Sequence, residues 1–314
     1  MARPVRILRR PDVEALLDMA ACIDAVEAAF VAYSNGGAEL PEVIHLDVPE
    51  AGGEVHVKAG HLHGEPYYAV KVASGFAGAV NDGIVLVLDA RDGSLAALLL
   101  DDGLVTDVRT GAAGGVAARW LAPSRVETVG VVGTGVQARR QIEALLIVRP
   151  EIALVRVWGR DPAKAAARVE QLRATVACEP AGAVAEAVAG AEVVIACTAS
   201  REPLVALSML APGAHVTAVG SDGPGKHELD PAILAAADVL AVDSVEQCAR
   251  LGELQHALAQ RSRAVELGAI AGGRAPGRTS DAQLTVCDLT GVGVQDVAAA
   301  NLVMRLAGDR GETI

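Results

Sequence analysis

The spacing of hydrophobic and polar residues divides the chain into regions with different patterns. In residues 4–35, a short apolar run precedes apolar residues at helical spacing, which predicts a strand followed by helices. Between residues 40 and 101, short apolar runs are separated by turn signals such as Gly52-Gly53, which is typical of an antiparallel sheet. The elements predicted there are strands at 43–48, 54–59, 67–72, 84–88 and 95–99, then a helix over 104–121.

From residue 126 onward, short apolar strands alternate with helical segments, which indicates a parallel sheet covered on both faces. The strands predicted in this region are 128–132, 154–158, 193–197, 215–219, 239–242 and 284–288. The helices predicted between and after them are 137–148, 162–174, 181–188, 230–237 and 294–306. The glycine-rich segment 269–281 is predicted to be a mobile segment or a surface connection.

These patterns predict an α/β fold with two domains. A doubly wound (Rossmann) dinucleotide-binding domain is expected over residues 122–295, after a hinge at Ala122-Pro123-Ser124. Residues 1–121 are expected to form an α+β substrate-binding and dimerisation domain, to which the C-terminal helix 296–314 returns. Because this domain has few helices to cover both faces of its strands, we expect a homodimer.

The turn after the strand 128–132 carries a signal for nucleotide binding. It reads Gly133-Thr134-Gly135, with the small Ala138 at the start of a predicted helix. In a dinucleotide-binding loop, such glycines allow the tight turn and the approach of a pyrophosphate, and the free amides of the helix bind the phosphates. An ordinary strand–turn–helix is the alternative. The candidate cofactor contacts here are Gly133, Thr134, Gly135, Val136 and Gln137.

The end of the second strand of this domain indicates which dinucleotide is bound. An NAD site usually places an acid there, whereas an NADP site places an arginine near the additional phosphate. Here Asp161 precedes Pro162 as a helix N-cap, and Arg160 occupies the recognition position with Lys164 nearby. The predicted cofactor is NAD(P)(H), with NADP(H) favoured. A solvated surface arginine is the alternative for Arg160.

Composition narrows the class of protein. A net charge of −12 and an isoelectric point near 5.1 argue against a nucleic-acid surface, and no apolar run is long enough to span a bilayer. The five cysteines are scattered without a C-x-x-C pair, which predicts reduced thiols in a cytoplasmic protein. Arginine far outnumbers lysine, so each lysine is a candidate for a specific role.

Two cations lie in otherwise apolar sequence of the first domain. Lys71 ends an alternating strand, and Arg109 lies on the helix 104–121. Together they are suited to binding a substrate carboxylate, Arg109 through two parallel hydrogen bonds and Lys71 as a point charge. The alternatives are that Lys71 extends to the surface and that Arg109 pairs with Asp101 or Asp107.

Asp222 follows the strand 215–219, at the edge where ligands bind in open α/β sheets. It is therefore a candidate proton relay. The alternative is a turn residue that hydrogen-bonds its own backbone.

Three histidines, His56, His61 and His63, lie close together in the sequence. No clear carboxylate or cysteine partner accompanies them in the sequence, and a polar sheet face explains them as well. We therefore predict no metal site.

Seven segments together resemble the ornithine cyclodeaminase/μ-crystallin family. They are the strand ending at Lys71, LVTDVRTGAA at 104–113, VGTGVQARRQ at 132–141, ACTAS at 196–200, AVGSDGPGKHEL at 218–229, ARLGEL at 249–254 and DLTGVGVQD at 288–296. They occur in the family's order and cover nearly the whole chain. The resemblance implies a two-domain, dimeric, reductase-like protein.

The resemblance also implies roles for individual residues. Lys71 and Arg109 match the family's carboxylate-binding residues, and Asp222 matches its proton-transferring aspartate. We take Lys71 and Asp222 as the catalytic candidates. Three residues within the matching motifs are added to the candidate cofactor contacts: Thr110, Thr198 and Ser200.

Two departures from the family pattern concern the substrate. The family's additional substrate-binding arginine is missing around Leu40-Pro41-Glu42, and the usual Met-Pro segment reads His56-Val57-Lys58-Ala59-Gly60. HVKAGHLHG and DLTGVGVQD are most similar to the branch that includes iminosuccinate reductases. We predict that Lys58 joins Lys71 and Arg109 in the substrate site, because a dicarboxylate would balance the positive charge.

The predicted function is NAD(P)H-dependent oxidoreduction at the C–N bond of an imino or amino acid, as in an imine or ketimine reductase; reduction of iminosuccinate to aspartate is one form. The alternatives are an ornithine cyclodeaminase-type ammonia lyase and a non-catalytic NADP-binding protein of the μ-crystallin kind. The expected partners are a small imino or amino acid and a second copy of the chain, with neither nucleic acid nor membrane.

Overall fold

The structure is a computed structural model that describes residues 4–76 and 82–314. It contains two compact units: unit 1 comprises Met1–Arg109 and Val292–Ile314, and unit 2 comprises Thr110–Gly291. The division lies inside the helix Leu104–Leu121, whereas the sequence suggested a hinge at Ala122-Pro123-Ser124. Helical hydrogen bonds are local, so a helix can continue unbroken while its two ends belong to different units.

The described residues form these elements. The strands are β1 (Arg6–Arg9), β2 (Ala38–Glu39), β3 (Ile44–Val48), β4 (Gly53–Leu62), β5 (Tyr67–Phe76), β6 (Asp82–Asp89), β7 (Leu95–Leu100), β8 (Thr128–Val132), β9 (Leu154–Trp158), β10 (Cys178–Pro180), β11 (Val193–Ala196), β12 (Arg201–Val205), β13 (His215–Ala218), β14 (His227–Leu229), β15 (Val239–Val242), β16 (Val265–Glu266), β17 (Thr285–Asp288) and β18 (Glu312–Thr313). The α-helices are α1 (Arg10–Leu16), α2 (Met19–Ser34), α3 (Leu104–Leu121), α4 (Val136–Val148), α5 (Pro162–Leu172), α6 (Val184–Val188), α7 (Pro231–Ala236), α8 (Val245–Leu251), α9 (Leu267–Ala271) and α10 (Gly293–Leu306). Short 3-10 helices lie at Pro49–Ala51, Leu207–Met209, Glu253–His256 and Leu258–Arg263.

Unit 1 is built on a sheet with the strand order β18-β1-β7-β6-β5-β4-β2, and β3 also pairs with β4. Strands β3 to β7 pair in an antiparallel manner, as their turn signals predict, and β1 joins β7 in parallel. Helix α10 lies against one face of this sheet, since a Cβ on its first residue, Gly293, would lie only 2.2 Å from the carbonyl oxygen of Ala59 in β4, and a Cβ on Gly60 would lie 3.3 Å from Val297. Helix α2 packs against α10.

Unit 2 is built on a parallel sheet with the strand order β10-β9-β8-β11-β13-β17-β15-β16. One apolar core packs α4 and α5 on the sheet, and another packs α6, α7 and α8. The predicted doubly wound α/β fold is therefore confirmed. The strand order changes direction between β8 and β11, where ligands bind in such folds.

Several short elements of unit 2 were not predicted, namely β10, β12, β14, β16, α8 and α9. Each is too short to show a clear hydrophobic period. The segment 269–281, expected to be a mobile or surface connection, begins within α9 and is held at its end by hydrogen bonds. Arg278 donates from Nε to the carbonyl of Leu121 and from Nη2 to Oγ1 of Thr285. In the described part of the chain, no helix is long and apolar enough to cross a membrane.

Candidate functional site

Lys58 and Lys71 face each other on neighbouring strands of unit 1. The antiparallel register of β4 and β5 places the two lysines directly opposite each other. They lie on the face that α10 covers, because side chains two residues apart on a strand share a face and Gly60 contacts α10. Only 5% of Lys58 and 1% of Lys71 is exposed. The alternative that Lys71 extends to the surface is therefore wrong.

Asp296, near the start of α10, joins Lys71 to Arg109. Nζ of Lys71 donates to Oδ1 of Asp296 at 2.7 Å, and Nε of Arg109 lies 3.0 Å from the same oxygen. The exposed fractions are 4% for Arg109 and 1% for Asp296. We call Lys58, Lys71, Arg109 and Asp296 the charged clamp. It contains three cations and one carboxylate.

Burial and neighbouring charge determine how the clamp titrates. Burial, followed by repulsion from Arg109, lowers the pKa of Lys71 to about 7, even though Asp296 raises it. Burial alone would raise the pKa of Asp296, but Lys71, Arg109 and Lys58 together lower it. Asp296 is thus held ionised, and Lys71 can gain or lose a proton near neutral pH.

Three buried polar atoms of the clamp and of the adjacent Gln295 have no hydrogen-bond partner among the described residues. They are Nε of Arg109, which makes only the ion-pair contact with Asp296, Oδ2 of Asp296 and Nε2 of Gln295. Oε1 of Gln295 accepts a hydrogen bond of 2.6 Å from Nη1 of Arg109. Unsatisfied buried polar groups are costly, and a bound polar ligand is one way to satisfy them. The sequence placed Gln295 and Asp296 in the DLTGVGVQD motif but assigned neither a role.

In unit 2, the loop from β8 to α4 has the properties that a pyrophosphate needs. Gly133 has a φ of 135°, a conformation that favours glycine, and a Cβ there would clash with Cys197. A Cβ on Gly135 would meet nothing within 4 Å, so the loop is open beside it. The N-cap residue of α4, Gly135, has no side chain to cap the helix, and an uncapped helix start of this kind is suited to an anion.

Arg168 of α5 supports this loop from behind. Its Nε and Nη2 both donate to the carbonyl oxygen of Thr134, at 3.2 and 3.1 Å. The sequence gave no sign of this role, because Arg168 is one of many arginines on helices. The contact fixes the middle residue of the glycine-rich turn.

Arg160 lies exposed just beyond the end of β9. It makes no hydrogen bond or ion pair with the residues that the structure describes. Asp161 caps α5, as predicted, by accepting from the amide of Ala163 at 2.9 Å, and Lys164 is exposed in the first turn. Asp161 is therefore used as a helix cap, whereas the side chains of Arg160 and Lys164 are accessible to a ligand.

The remaining predicted residues of unit 2 lie at the carboxyl ends of its central strands or on α3. Thr198 and Ser200 follow β11, and the amide of Ser200 donates to Oγ1 of Thr198. Asp222 follows β13, next to β11, and pairs with Nζ of Lys226 at 2.7 Å. The carbonyl of Thr110 accepts a 2.8 Å hydrogen bond from Gln141.

The three histidines have carboxylate neighbours that the sequence did not indicate. His56 lies 3.9 Å from Glu54, and His63 lies 3.6 Å from Glu39. His61 packs near His63, with ring centroids 5.9 Å apart. Across residues 4–76 and 82–314, no group of three or more His, Cys, Asp or Glu side chains could hold a metal ion.

Comparison with known proteins gives one consistent result. A model of the ornithine cyclodeaminase/mu-crystallin family matches residues 5–310. The chain is 42% identical over 305 residues to a Sinorhizobium fredii protein named as an uncharacterised cyclodeaminase, with 92% of each chain covered. It is 35% identical over 237 residues to the iminosuccinate reductase of Paracoccus denitrificans, which covers 72% of this chain and 71% of the reductase.

Among solved structures, an archaeal alanine dehydrogenase dimer with bound NAD matches with a TM-score of 0.91. The two chains are 31% identical, and the match covers 99% of each. The glycine-rich loop, the parallel sheet and this likeness together make unit 2 an NAD(P)-binding domain. The chain belongs to the ornithine cyclodeaminase/mu-crystallin family.

Proposed function

We propose that the protein is an NAD(P)-dependent oxidoreductase that acts on the C–N bond of an imino acid or of its amino-acid product. The observation that carries this proposal is the charged clamp in unit 1. Three buried cations lie close together in the clamp, an arrangement that favours an anionic ligand. Arginine and lysine together are suited to a substrate carboxylate.

The proposed reaction combines hydride transfer at the carbon of the C–N bond with proton transfer at its nitrogen. A nicotinamide cofactor bound in unit 2 would supply or accept the hydride at the carbon of the C–N bond. Arg109 and Lys71 bind the carboxylate and thereby fix the position of the neighbouring carbon. The nitrogen gains a proton on reduction, and we propose Asp222 as its partner, directly or through a water. Lys71, with a pKa lowered to about 7 by burial and Arg109, is the second candidate for proton exchange.

The charge of the clamp supports a dicarboxylic substrate. Lys58 lies directly opposite Lys71 and adds a third buried cation to Lys71 and Arg109, which suits a substrate with a second carboxylate. Lys58 is the residue that supplies the additional cation, and the Paracoccus denitrificans relative is named for iminosuccinate. We therefore propose that acidic imino acids, with iminosuccinate as the example, are preferred over basic or apolar ones.

Nicotinamide absorbance tests the proposal directly. NADPH and NADH are supplied with oxaloacetate plus ammonia, pyruvate plus methylamine, and cyclic imines. We expect steady oxidation that requires both the 2-oxo acid and the amine, with kcat/KM highest for oxaloacetate plus ammonia. Oxidation by oxaloacetate without ammonia would show a ketone reductase instead. If the cofactor binds but no imino acid is reduced, the alternative of a non-catalytic binding protein gains support.

A cyclodeaminase is the second candidate, because the Sinorhizobium fredii relative carries that name. Such an enzyme would oxidise ornithine, release ammonia, close a ring and reduce it again. It would therefore release ammonia with no net change in nicotinamide absorbance. Against this candidate, no arginine stands near Leu40-Pro41-Glu42, where the family often has one.

We further propose that NADP(H) is preferred, since Arg160 and Lys164 are exposed at the end of β9 while Asp161 caps α5. We also propose a cytoplasmic homodimer. The five cysteines, all within the described residues, form no disulfide, which fits a reducing compartment.

A further inference from the structure

Glu228 lies between two loops of unit 2 and is fully buried. Its Oε1 accepts a hydrogen bond from the amide of Thr198 at 2.5 Å, and its Oε2 accepts one from the amide of Gly220 at 2.8 Å. Thr198 follows β11 and Gly220 follows β13, and these strands are neighbours in the parallel sheet. One carboxylate therefore joins the loops at the carboxyl ends of two adjacent strands.

The fit between this carboxylate and Gly220 is close. A Cβ on Gly220 would lie 2.1 Å from the carbonyl oxygen of Thr198 and 2.4 Å from Oε2 of Glu228, so the loop admits only glycine there. The backbone of Glu228 is itself held by a second buried acid. The amides of Glu228 and Leu229 donate to the two oxygens of Glu253, at 2.8 and 3.2 Å. The backbone that carries the Glu228 side chain is thus held by Glu253, while the carboxylate binds the two loops.

We infer that Glu228 is a positioning residue that fixes the loop carrying Asp222 relative to the loop carrying Thr198. Asp222 comes two residues after Gly220, so a shift of that amide would carry Asp222 with it. The inference rests on the proposed function insofar as Asp222 and Thr198 serve the reaction. Only a carboxylate can bridge the two amides, because the NH₂ group of a glutamine would face one of them as a second donor.

The bridge should depend on pH. Burial raises the pKa of Glu228 to about 7, although the amides of Thr198 and Gly220 lower it. The titratable groups that face it from neighbouring segments are Asp222, Glu253 and Cys197. A protonated Glu228 turns one oxygen into a donor and loses one of the two bonds. Below pH 7 the two loops should therefore separate more often.

Glu192 provides a matched control on the same sheet. Its Oε2 accepts from the amides of Glu127 and Thr128, at 3.2 and 2.7 Å, at the amino end of β8.

Glu228→Gln should speed deuterium exchange at Thr198 and Gly220 roughly tenfold or more, the effect of one lost bond to a charged group. It should lower kcat for imino-acid reduction by a similar factor while the KM for the imino acid changes little. Glu192→Gln should change neither the exchange at those two amides nor kcat.

Exchange in the wild-type protein gives a second measurement that needs no variant to fold. After correction for intrinsic rates, protection at Thr198 and Gly220 should fall as pH decreases through about 7, while protection at Thr128 should not. Unchanged exchange at both amides in Glu228→Gln, or a kcat loss equal to that of Glu192→Gln, overturns the inference. A wild type that reduces no imino acid overturns only the proposed function, since exchange still decides the role of Glu228.

Discussion

Lys71 shows how much a single side chain in this protein depends on its neighbours. Its pKa is lowered to about 7 by burial and by Arg109, and Asp296 is the group that opposes this effect. A group whose pKa is lowered to about 7 is charged below that pH and neutral above it. Binding of an anion to the clamp should therefore weaken as pH rises through 7.

Asp296→Asn should lower the pKa of Lys71, because it removes the negative charge that favours the protonated form. The pH at which anion affinity falls should therefore decrease by about one unit or more. The measurement is the affinity of the enzyme–NADPH complex for succinate as a function of pH, followed by nicotinamide fluorescence. Asp89→Asn, which removes another buried carboxylate of unit 1, should not change the pH at which succinate affinity falls. A profile that is identical in the Asp296 variant would contradict the role of Asp296.

Lys58→Met tests the proposed preference for dicarboxylates. Loss of a charge-assisted contact of about 1.5–3 kcal/mol should raise the KM for iminosuccinate roughly ten- to hundredfold, while monocarboxylic imino acids change by only a small factor. Arg310→Met, which removes an exposed cation of unit 1 outside the clamp, serves as the control for substrate preference. A Lys58 variant that behaves like the wild type with every substrate would assign Lys58 a structural role.

At the scale of elements, two adjacent residues in the turn from β9 into α5 have different roles, one in capping the helix and one in the proposed recognition of the cofactor. Asp161 satisfies the amides at the start of α5, and Arg160 remains free among the described residues to meet a ligand. The turn from β8 into α4 is held by Arg168 and has open space at Gly135. Both turns are short, so their geometry is set by local hydrogen bonds.

Arg160→Ala should raise the KM for NADPH roughly ten- to hundredfold and leave that for NADH nearly unchanged, since the lost contact is to the additional phosphate. Initial rates with each cofactor give both values. Arg173→Ala, just beyond the other end of α5, is the matched control. Equal effects on the two cofactors, or a wild type that strongly prefers NADH, would refute the NADP(H) proposal.

At the scale of the whole molecule, the sheet of unit 1 has two unlike faces. Lys58 and Lys71 lie on the face that α10 covers. The register of β3 to β6 places an apolar row on the opposite face, formed by Ile44, Val57, Val72 and Ile84. Ile44 is 56% exposed and Ile84 is 36% exposed. Such a row supports the proposal that a second copy of the chain packs there.

We expect a dimer in sedimentation velocity at low micromolar concentration. Replacing Ile44 and Ile84 together with aspartate should produce monomers, because burying two carboxylates without partners opposes association. Leu258→Asp, at an equally exposed leucine of unit 2, should leave the dimer intact. A wild-type monomer would show that the apolar row has another purpose.

The sequence by itself determined the features that depend on neighbours along the chain. Hydrophobic spacing predicted most of the strands of both sheets, the Gly133–Gly135 turn predicted the nucleotide loop, and Asp161-Pro162 predicted the start of α5. These succeed because strand alternation, turn conformation and helix capping are local. Lys71, Arg109 and Asp222 were candidates from their positions in the sequence, and the resemblance in seven motifs, confirmed by the family match, matched them to family roles that stay proposals here.

Only the tertiary structure decided which charges meet. Lys71 and Asp296 are 225 residues apart in the sequence yet share a hydrogen bond, and the sequence showed no pattern that links them. The bridge from Glu228 to Thr198 and Gly220 was missed for the same reason. The protonation of Lys71 and Glu228 follows from burial and from partners brought close by folding, so these properties arise only when the sheet and helices assemble.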